Sequence, residues 1–242
     1  GAAFGRHDSR PGAMSEVTHA LAPPACDGMQ VDAHRRVIAV VIPCYKVAAH
    51  VVELIGRIGP EVDLIFAVDD ACPQGSGKLL QAQCDDPRLQ VVFHEQNRGV
   101  GGAVMTGYRP AIAAGADPNP RDGNGRTPLH GDGQMDPALL PQFVAPVLAG
   151  EADYTKGNRF YDLRYISRMP KARLFGNAVL SFMAKFSTGY WDIFDPTNGY
   201  TAISGRAAAI LPHDRISQRY FFESDMLFRL GTFRAVVCDV PV

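Results

Sequence analysis

From Arg36 onward the chain alternates short, uninterrupted apolar runs with mixed segments. Val37-Ile38-Ala39-Val40-Val41-Ile42 is β-branched and closed by Pro43, the pattern of a strand buried on both faces of a parallel sheet. A helix is expected over about 48–58, and a second buried strand, Leu64-Ile65-Phe66-Ala67-Val68, stops at Asp69-Asp70. A short polar helix near 77–84, a third strand over 89–93 and a helix over 100–114 follow. The last of these carries Val104, Tyr108 and Ile112 on one face, at i, i+4 and i+8. Strands alternating with helices predict an α/β fold with right-handed crossovers. Residues 1–35 show no periodicity and are expected to form a loose leader, with Met14 a candidate natural start. The run from Ala235 to Val242 reads as a final strand.

Composition narrows the class. The 242 residues are 46% hydrophobic and 20% charged with a net charge of -1, which excludes a disordered chain, a coiled coil and a generally basic nucleic-acid binder. Five cysteines without a C-x-x-C pair indicate neither a zinc ribbon nor a disulfide framework, and fit a reducing compartment. No apolar run reaches the length of a membrane span, and no secretory signal is visible at the start. The sequence lacks G-x-x-x-x-G-K-[ST], H-E-x-x-H and G-x-S-x-G, which argues against P-loop NTPases, zincins and α/β-hydrolases.

In sheets of this kind ligands bind outside the carboxyl ends of the strands. Those ends carry Pro43-Cys44-Tyr45, Asp69-Asp70 and His94-Glu95-Gln96-Asn97, so polar residues are expected to converge on one edge. Asp69-Asp70 suits a turn with a helix cap as well as a ligand contact. In His130-Gly131-Asp132-Gly133-Gln134-Met135-Asp136-Pro137, Asp136 before Pro137 is a helix start, which leaves Asp132 and Gln134 without a helix role. A hard dication takes one or two protein carboxylates plus substrate phosphate oxygens, and a loop of this kind supplies them. Asn97-Arg98-Gly99-Val100-Gly101-Gly102 precedes a helix; its glycines serve either an anion or close packing. Between Lys156 and Lys185 seven basic residues face one acid, Asp162, among many aromatic and aliphatic ones. That pattern favours an anionic membrane surface or lipid phosphate over a charged face covering a buried stripe. Glu223 and Asp225 stand two apart, so at most one points into a site, and Asp225 has Arg229 at i+4 as an alternative partner.

Seven strings in this order resemble the family 2 glycosyltransferases of the GT-A fold, and among them the polyprenyl-phosphate, dolichyl-phosphate mannose synthase-like enzymes. They are Val41-Ile42-Pro43-Cys44-Tyr45, Val68-Asp69-Asp70, Asn97-Arg98-Gly99-Val100-Gly101, Asp132-Gly133-Gln134-Met135-Asp136-Pro137, Lys156-Gly157-Asn158-Arg159, Asp195-Pro196-Thr197-Asn198-Gly199 and Phe221-Phe222-Glu223-Ser224-Asp225-Met226-Leu227. The resemblance covers 36–242 and implies one catalytic domain, a mostly parallel Rossmann-like sheet between helices. It implies an inverting transfer of a sugar from a nucleotide-sugar donor to a polyprenyl phosphate, on the cytoplasmic face of a membrane. It gives Pro43, Tyr45, Val68 and Asp70 to the donor nucleoside, and Asp132 to a Mg²⁺ or Mn²⁺ ion with Gln134 beside it. Arg159 is given to phosphate, and Asp225 to an acidic helix position near the acceptor. No nucleic-acid partner is implied, and the oligomeric state is left open.

The sequence departs from the family at several points. Val47 stands where the family has Glu. His130 stands where the metal motif begins with Asp, and imidazole suits Mn²⁺ better than Mg²⁺. The strand expected before the motif is replaced by 115–130, which looks like the turn and helix start of an ankyrin repeat; a single half-repeat cannot stack as a solenoid. Arg126 to His130 is the candidate substitute strand, without which the sheet would have a gap. Relatives continue past the final strand with further basic residues, so the C-terminus is expected to be truncated. Two other classes fit the same residues: a catalytically impaired nucleotide-sugar-binding domain, and an interaction module built on the ankyrin-like insert.

Overall fold

The first apolar run forms the doubly buried strand its composition requires. Strand β1 (Ile38–Cys44) is buried at every position. Ile38, Val40, Ile42 and Cys44 enter one hydrophobic core, and Ala39 and Val41 enter another on the opposite face. This alternation is the period-2 geometry of a strand covered on both sides. The protein is seen in a computed structural model that describes residues 37–114, 127–130, 136–161, 171–196 and 198–242, all within the body His34–Val242.

Strands β2 (Leu64–Asp69) and β3 (Leu89–Phe93) extend the sheet on one side of β1, each parallel to its neighbour. On the other side lies β4 (Thr127–His130), also parallel to β1, with Ile38 opposite Thr127 and Val41 opposite His130. The expected gap is therefore closed by the Thr-Pro-Leu-His segment itself. Beyond it, β5 (Tyr154–Asn158), β6 (Thr201–Ile203) and β7 (Val237–Pro241) complete the order β3-β2-β1-β4-β6-β5-β7. Strand β6 is antiparallel to β4 and β5, whereas β7 is parallel to β5. The carboxyl ends of all strands except β6 thus share one edge, and the chain entering β6 reaches that same edge.

Helices cover both faces. Helices α1 (Val51–Gly56), α2 (Ser76–Gln83) and α4 (Leu140–Leu148) contribute Val51, Ile55, Leu80, Phe143 and Val144 to one core. Helices α3 (Val100–Ala113), α6 (Gly205–Ile210) and α7 (Phe222–Thr232) contribute Val104, Tyr108, Ala207, Met226 and Leu227 to the other. Helix α1 is shorter than the apolar pattern suggests because 47–50 form a turn, and His50 makes no side-chain cap bond. Asp136 caps the 3-10 turn Pro137–Leu139 that leads into α4, accepting from the Ala138 N–H at 3.0 Å, as Asp before Pro predicts.

Helix α5 (Lys171–Thr188) packs on α7, and none of its residues with described side chains enters either core cluster. Among the residues of this helix whose side chains are described, Phe175, Phe182, Met183 and Phe186 are exposed and Ser181 is buried, so there the apolar spacing does not make a buried stripe. Phe182 meets the exposed Trp191 edge-on at 6.4 Å, and Lys185 stands 3.5 Å over the Phe194 ring, which extends the apolar face past the helix end. Among the described residues no helix is long and apolar enough to cross a membrane.

Candidate active site

The carboxyl edge collects most of the polar strings, and each strand end contributes differently. After β1, Tyr45 is 44% exposed and Lys46 takes a left-handed backbone (φ 60°). Ala71, after β2, is likewise left-handed (φ 51°). These two strained turns meet where the Lys46 N–H donates to Cys72 Sγ at 3.1 Å. Backbone strain of this kind persists only where neighbouring contacts over-determine it. Burial acts to raise the Cys72 thiol, but bonds from the Ser76 hydroxyl and from the backbone at Ser76, Lys46 and Gln74 hold it below its ordinary pKa. Cys44, fully buried, is pushed up to about 12 by burial and then by the nearby charges of Asp69 and Cys72.

Two aspartates at the end of β2 are absorbed by backbone donors. Asp69 accepts from the N–H groups of Cys72 (2.7 Å) and Gly77 (2.6 Å), fixing the turn into α2. Asp70 is buried, and accepts from the N–H groups of Arg98 (2.7 Å) and Gly99 (2.8 Å) while pairing with His94 Nδ1 at 2.7 Å. His94 Nε2 in turn lies 2.9 Å from Thr106 Oγ1 on α3. The Asp70 carboxylate thus ties the loop after β3 to the sheet edge. Pro43 and Val68 face each other across the β1–β2 ladder and both are buried, so of the four positions given to the nucleoside only Tyr45 presents an exposed side chain.

The glycines of the loop before α3 serve packing. A methyl group on Gly101 would clash with the Ser217 carbonyl, and one on Gly99 (φ 86°) would lie 2.6 Å from the Gln218 carbonyl. The Gly102 N–H donates to the Gln218 carbonyl at 3.0 Å, so the helix start is covered by the 217–222 segment.

His130 ends β4 between Val41 of β1 and Thr201 of β6, at the middle of the edge. The expectations for Asp132 and Gln134 fall outside the described residues. Asp136, which resumes the described chain, pairs with Arg57 at 2.7 Å on the surface.

At the end of β5 the Lys-Gly-Asn-Arg string acts as three prongs. Lys156 is 0% exposed; its Nζ donates to the Asn198 carbonyl at 2.6 Å and lies 4.0 Å from Glu223 Oε2. Burial pulls its pKa down, aided by Arg159, while Glu223, Asp195 and Asp239 oppose the shift. Asn158 Nδ2 donates to Asp239 Oδ2 of β7 at 2.6 Å. Arg159 grips Asp195 with both Nε (2.7 Å) and Nη2 (3.0 Å). Burial raises the Asp239 pKa against bonds from Phe194 and Asn158, and its Oδ1 is buried without a hydrogen-bond partner.

On α7 the acids divide as their spacing requires. Asp225 accepts from Arg229 Nε (2.8 Å) and from the Ser217 N–H (2.8 Å), the i, i+4 arrangement. Glu223, one face away, is buried toward Lys156. Sequence reasoning assigned Arg159 and, on α7, Asp225 in this region; it did not assign Lys156, Asn158, Asp195, Glu223 or Asp239. Three of the strings quoted for the resemblance contain all of these but Asp239, yet no spacing rule shows that strands 40 to 80 residues apart bring them together.

Residues 39–209 match the model of the family described as Glycosyl transferase family 2, and the chain belongs to that family. The UDP-N-acetylglucosamine–dolichyl-phosphate N-acetylglucosaminyltransferase of Methanococcus voltae is 24% identical over 221 residues, covering 86% of this chain and 85% of the relative. The undecaprenyl-phosphate mannosyltransferase of Micrococcus luteus is 27% identical over 210 residues, covering 85% and 82%. Among solved structures, glucosyl-3-phosphoglycerate synthase from Mycobacterium tuberculosis, in complex with Mn²⁺, UDP and phosphoglyceric acid, superposes with a TM-score of 0.62 at 19% identity. That match covers 85% of this chain and 68% of the synthase, and shows that the two share the GT-A fold.

Proposed function

We propose that this glycosyltransferase moves a sugar from a nucleotide-sugar donor to a polyprenyl phosphate, inverting the anomeric carbon and using a divalent metal. The observation that carries the reading is the convergence of Tyr45, His130 and Arg159 on one sheet edge, at the ends of β1, β4 and β5. Three strand spacings, about 14 Å, separate the first from the last, room for an extended donor to lie across the edge. The lengthwise similarity to two polyprenyl-phosphate glycosyltransferases supports the acceptor class.

Each residue then has a chemical task. The Tyr45 ring is the exposed surface on which a nucleobase can stack, on a turn fixed by Cys72. Asp70 holds the loop 94–99 at the same sheet edge. A phosphate monoester has a second pKa near 6, so the acceptor is largely ionised at pH 7 and needs no strong base to become a nucleophile. What remains is to orient it and to balance charge on the departing diphosphate, and Arg159 at the edge can meet one of these phosphates. Asp69, Asp70 and Asp195 already spend carboxylate oxygens on N–H donors, and among the described residues no three acidic, His or Cys groups form a metal cage. By the family resemblance the protein ligands would be Asp132 and, at the end of β4, His130, with donor phosphate oxygens supplying the rest. One carboxylate plus imidazole fits Mn²⁺ better than Mg²⁺. Bound there, the ion would neutralise the leaving diphosphate.

The exposed apolar face of α5, with Trp191 and Lys185, suits the surface of an anionic bilayer, where a lipid phosphate is presented. His130 favours a second reading, a nucleotide-sugar-binding domain of impaired activity. Calorimetric titration with UDP and GDP, with and without Mn²⁺, tests the donor half of the proposal. Metal-dependent binding that is lost in Asp132→Asn is expected; equal binding without metal, or by Asp132→Asn, contradicts the metal's assigned place.

A further inference from the structure

Arg159 does not approach a ligand as an isolated side chain. Asp195 accepts from its Nε at 2.7 Å and from its Nη2 at 3.0 Å, a bidentate grip that fixes the guanidinium plane. The pair is also graded in depth: the Asp195 side chain is 1% exposed and that of Arg159 is 29% exposed. The carboxylate lies beneath and the guanidinium reaches solvent. Asp195 is itself held from several directions. The Asn198 N–H donates to its carbonyl at 3.3 Å, and the Asn198 carbonyl is pinned by buried Lys156 at 2.6 Å. One residue before it, the Phe194 N–H donates to Asp239 at 3.2 Å.

We propose that Asp195 is the positioning residue of the phosphate site, fixing in advance the orientation in which Arg159 meets a phosphate monoester. The inference rests on the assignment of Arg159 to phosphate made above. An arginine side chain carries much rotamer entropy, and a group already ordered loses less of it on capture. Charge alone gives the opposite expectation. A carboxylate beside the guanidinium repels phosphate, so if only field strength mattered, neutralising Asp195 would tighten binding. The two views differ in sign.

The experiment is calorimetric titration of the full chain with farnesyl phosphate in dodecyl maltoside micelles, with farnesol in the same micelles as control. The ratio of the two affinities isolates the contribution of the phosphate. Arg159→Ala is expected to remove that contribution. Asp195→Asn is expected to weaken farnesyl phosphate about tenfold without changing farnesol, and to change affinity less than twofold when added to Arg159→Ala. Asp195→Glu, which keeps the carboxylate, is expected to recover part of the loss, and it replaces the asparagine in the cycle should that variant not fold. Unchanged or tighter farnesyl phosphate binding by Asp195→Asn overturns the positioning role. So does an equal tenfold loss in the Arg159→Ala background, which would mean that Asp195 acts independently of the arginine. If Arg159→Ala leaves the phosphate contribution intact, the assignment of Arg159 itself falls and takes the inference with it.

Discussion

Lys156 and Asp239 occupy facing positions in the β5–β7 ladder and depart from their ordinary pKa values in opposite directions for one reason, loss of water. Lys156 is stabilised by the Asn198 carbonyl and by Glu223, so Lys156→Met leaves a buried carboxylate without its cation. A loss of about 3 kcal/mol in unfolding free energy is expected from urea titration, and a change within about 0.5 kcal/mol would contradict it. Asp239 is the reverse case. Its folded pKa lies above the unfolded value, so its contribution is favourable in acid and is lost as pH rises through the folded pKa. Asp239→Asn is therefore expected to melt higher than wild type at pH 7, with the difference vanishing below about pH 4. A gap that persists in acid would assign the effect to something other than ionisation. Sequence alone gave no sign of this cluster, because Lys156 reads as one more member of a basic stretch and its burial depends on β6 and β7. It did show that Glu223 and Asp225 cannot face the same way, and the structure adds which one turns inward.

At the scale of elements, strands β1, β2 and β3 were legible within one or two residues, since continuous β-branched runs between turn residues have few other uses. β4 was legible only as the candidate filling an otherwise open gap, and the structure bears that reading out at Thr127–His130; the segment's own pattern was silent, because a four-residue strand containing a proline gives neither length nor alternation, and proline removes a ladder donor. Its strand character comes from the neighbours it pairs with. The loop before α3 was equally ambiguous between anion binding and packing, and the contact of Gly101 with the Ser217 carbonyl identifies packing. Gly101→Ala is expected to cost about 1–3 kcal/mol of stability, measured by thermal unfolding, whereas the wild-type melting temperature would argue that the 217–222 segment yields freely. Helix α5 gives the opposite expectation. Phe182 and Phe186 are more than half exposed, so Phe182→Glu with Phe186→Glu should leave the melting temperature unchanged. The same pair should abolish co-sedimentation with phosphatidylglycerol vesicles. Retained co-sedimentation would move membrane contact to another face.

At the scale of the whole molecule, the strand order brings residues from five separated strings to one edge, while the net charge of -1 conceals a strongly basic stretch beside an apolar helix. The family and its fold could be inferred from strings in order; the division of labour at the edge required the topology. Asp69 and Asp70, quoted for the resemblance, hold the turns of this edge together through backbone donors. The most direct measurement is partition of labelled sugar into the lipid phase, from UDP-N-acetylglucosamine and GDP-mannose in turn, with farnesyl phosphate and Mn²⁺. Sugar attached to farnesyl phosphate from at least one donor, with inverted anomeric configuration and none formed by Asp132→Asn, is the expected result. Donor binding with no sugar ever reaching the lipid, or a product of retained configuration, would contradict transfer by this site.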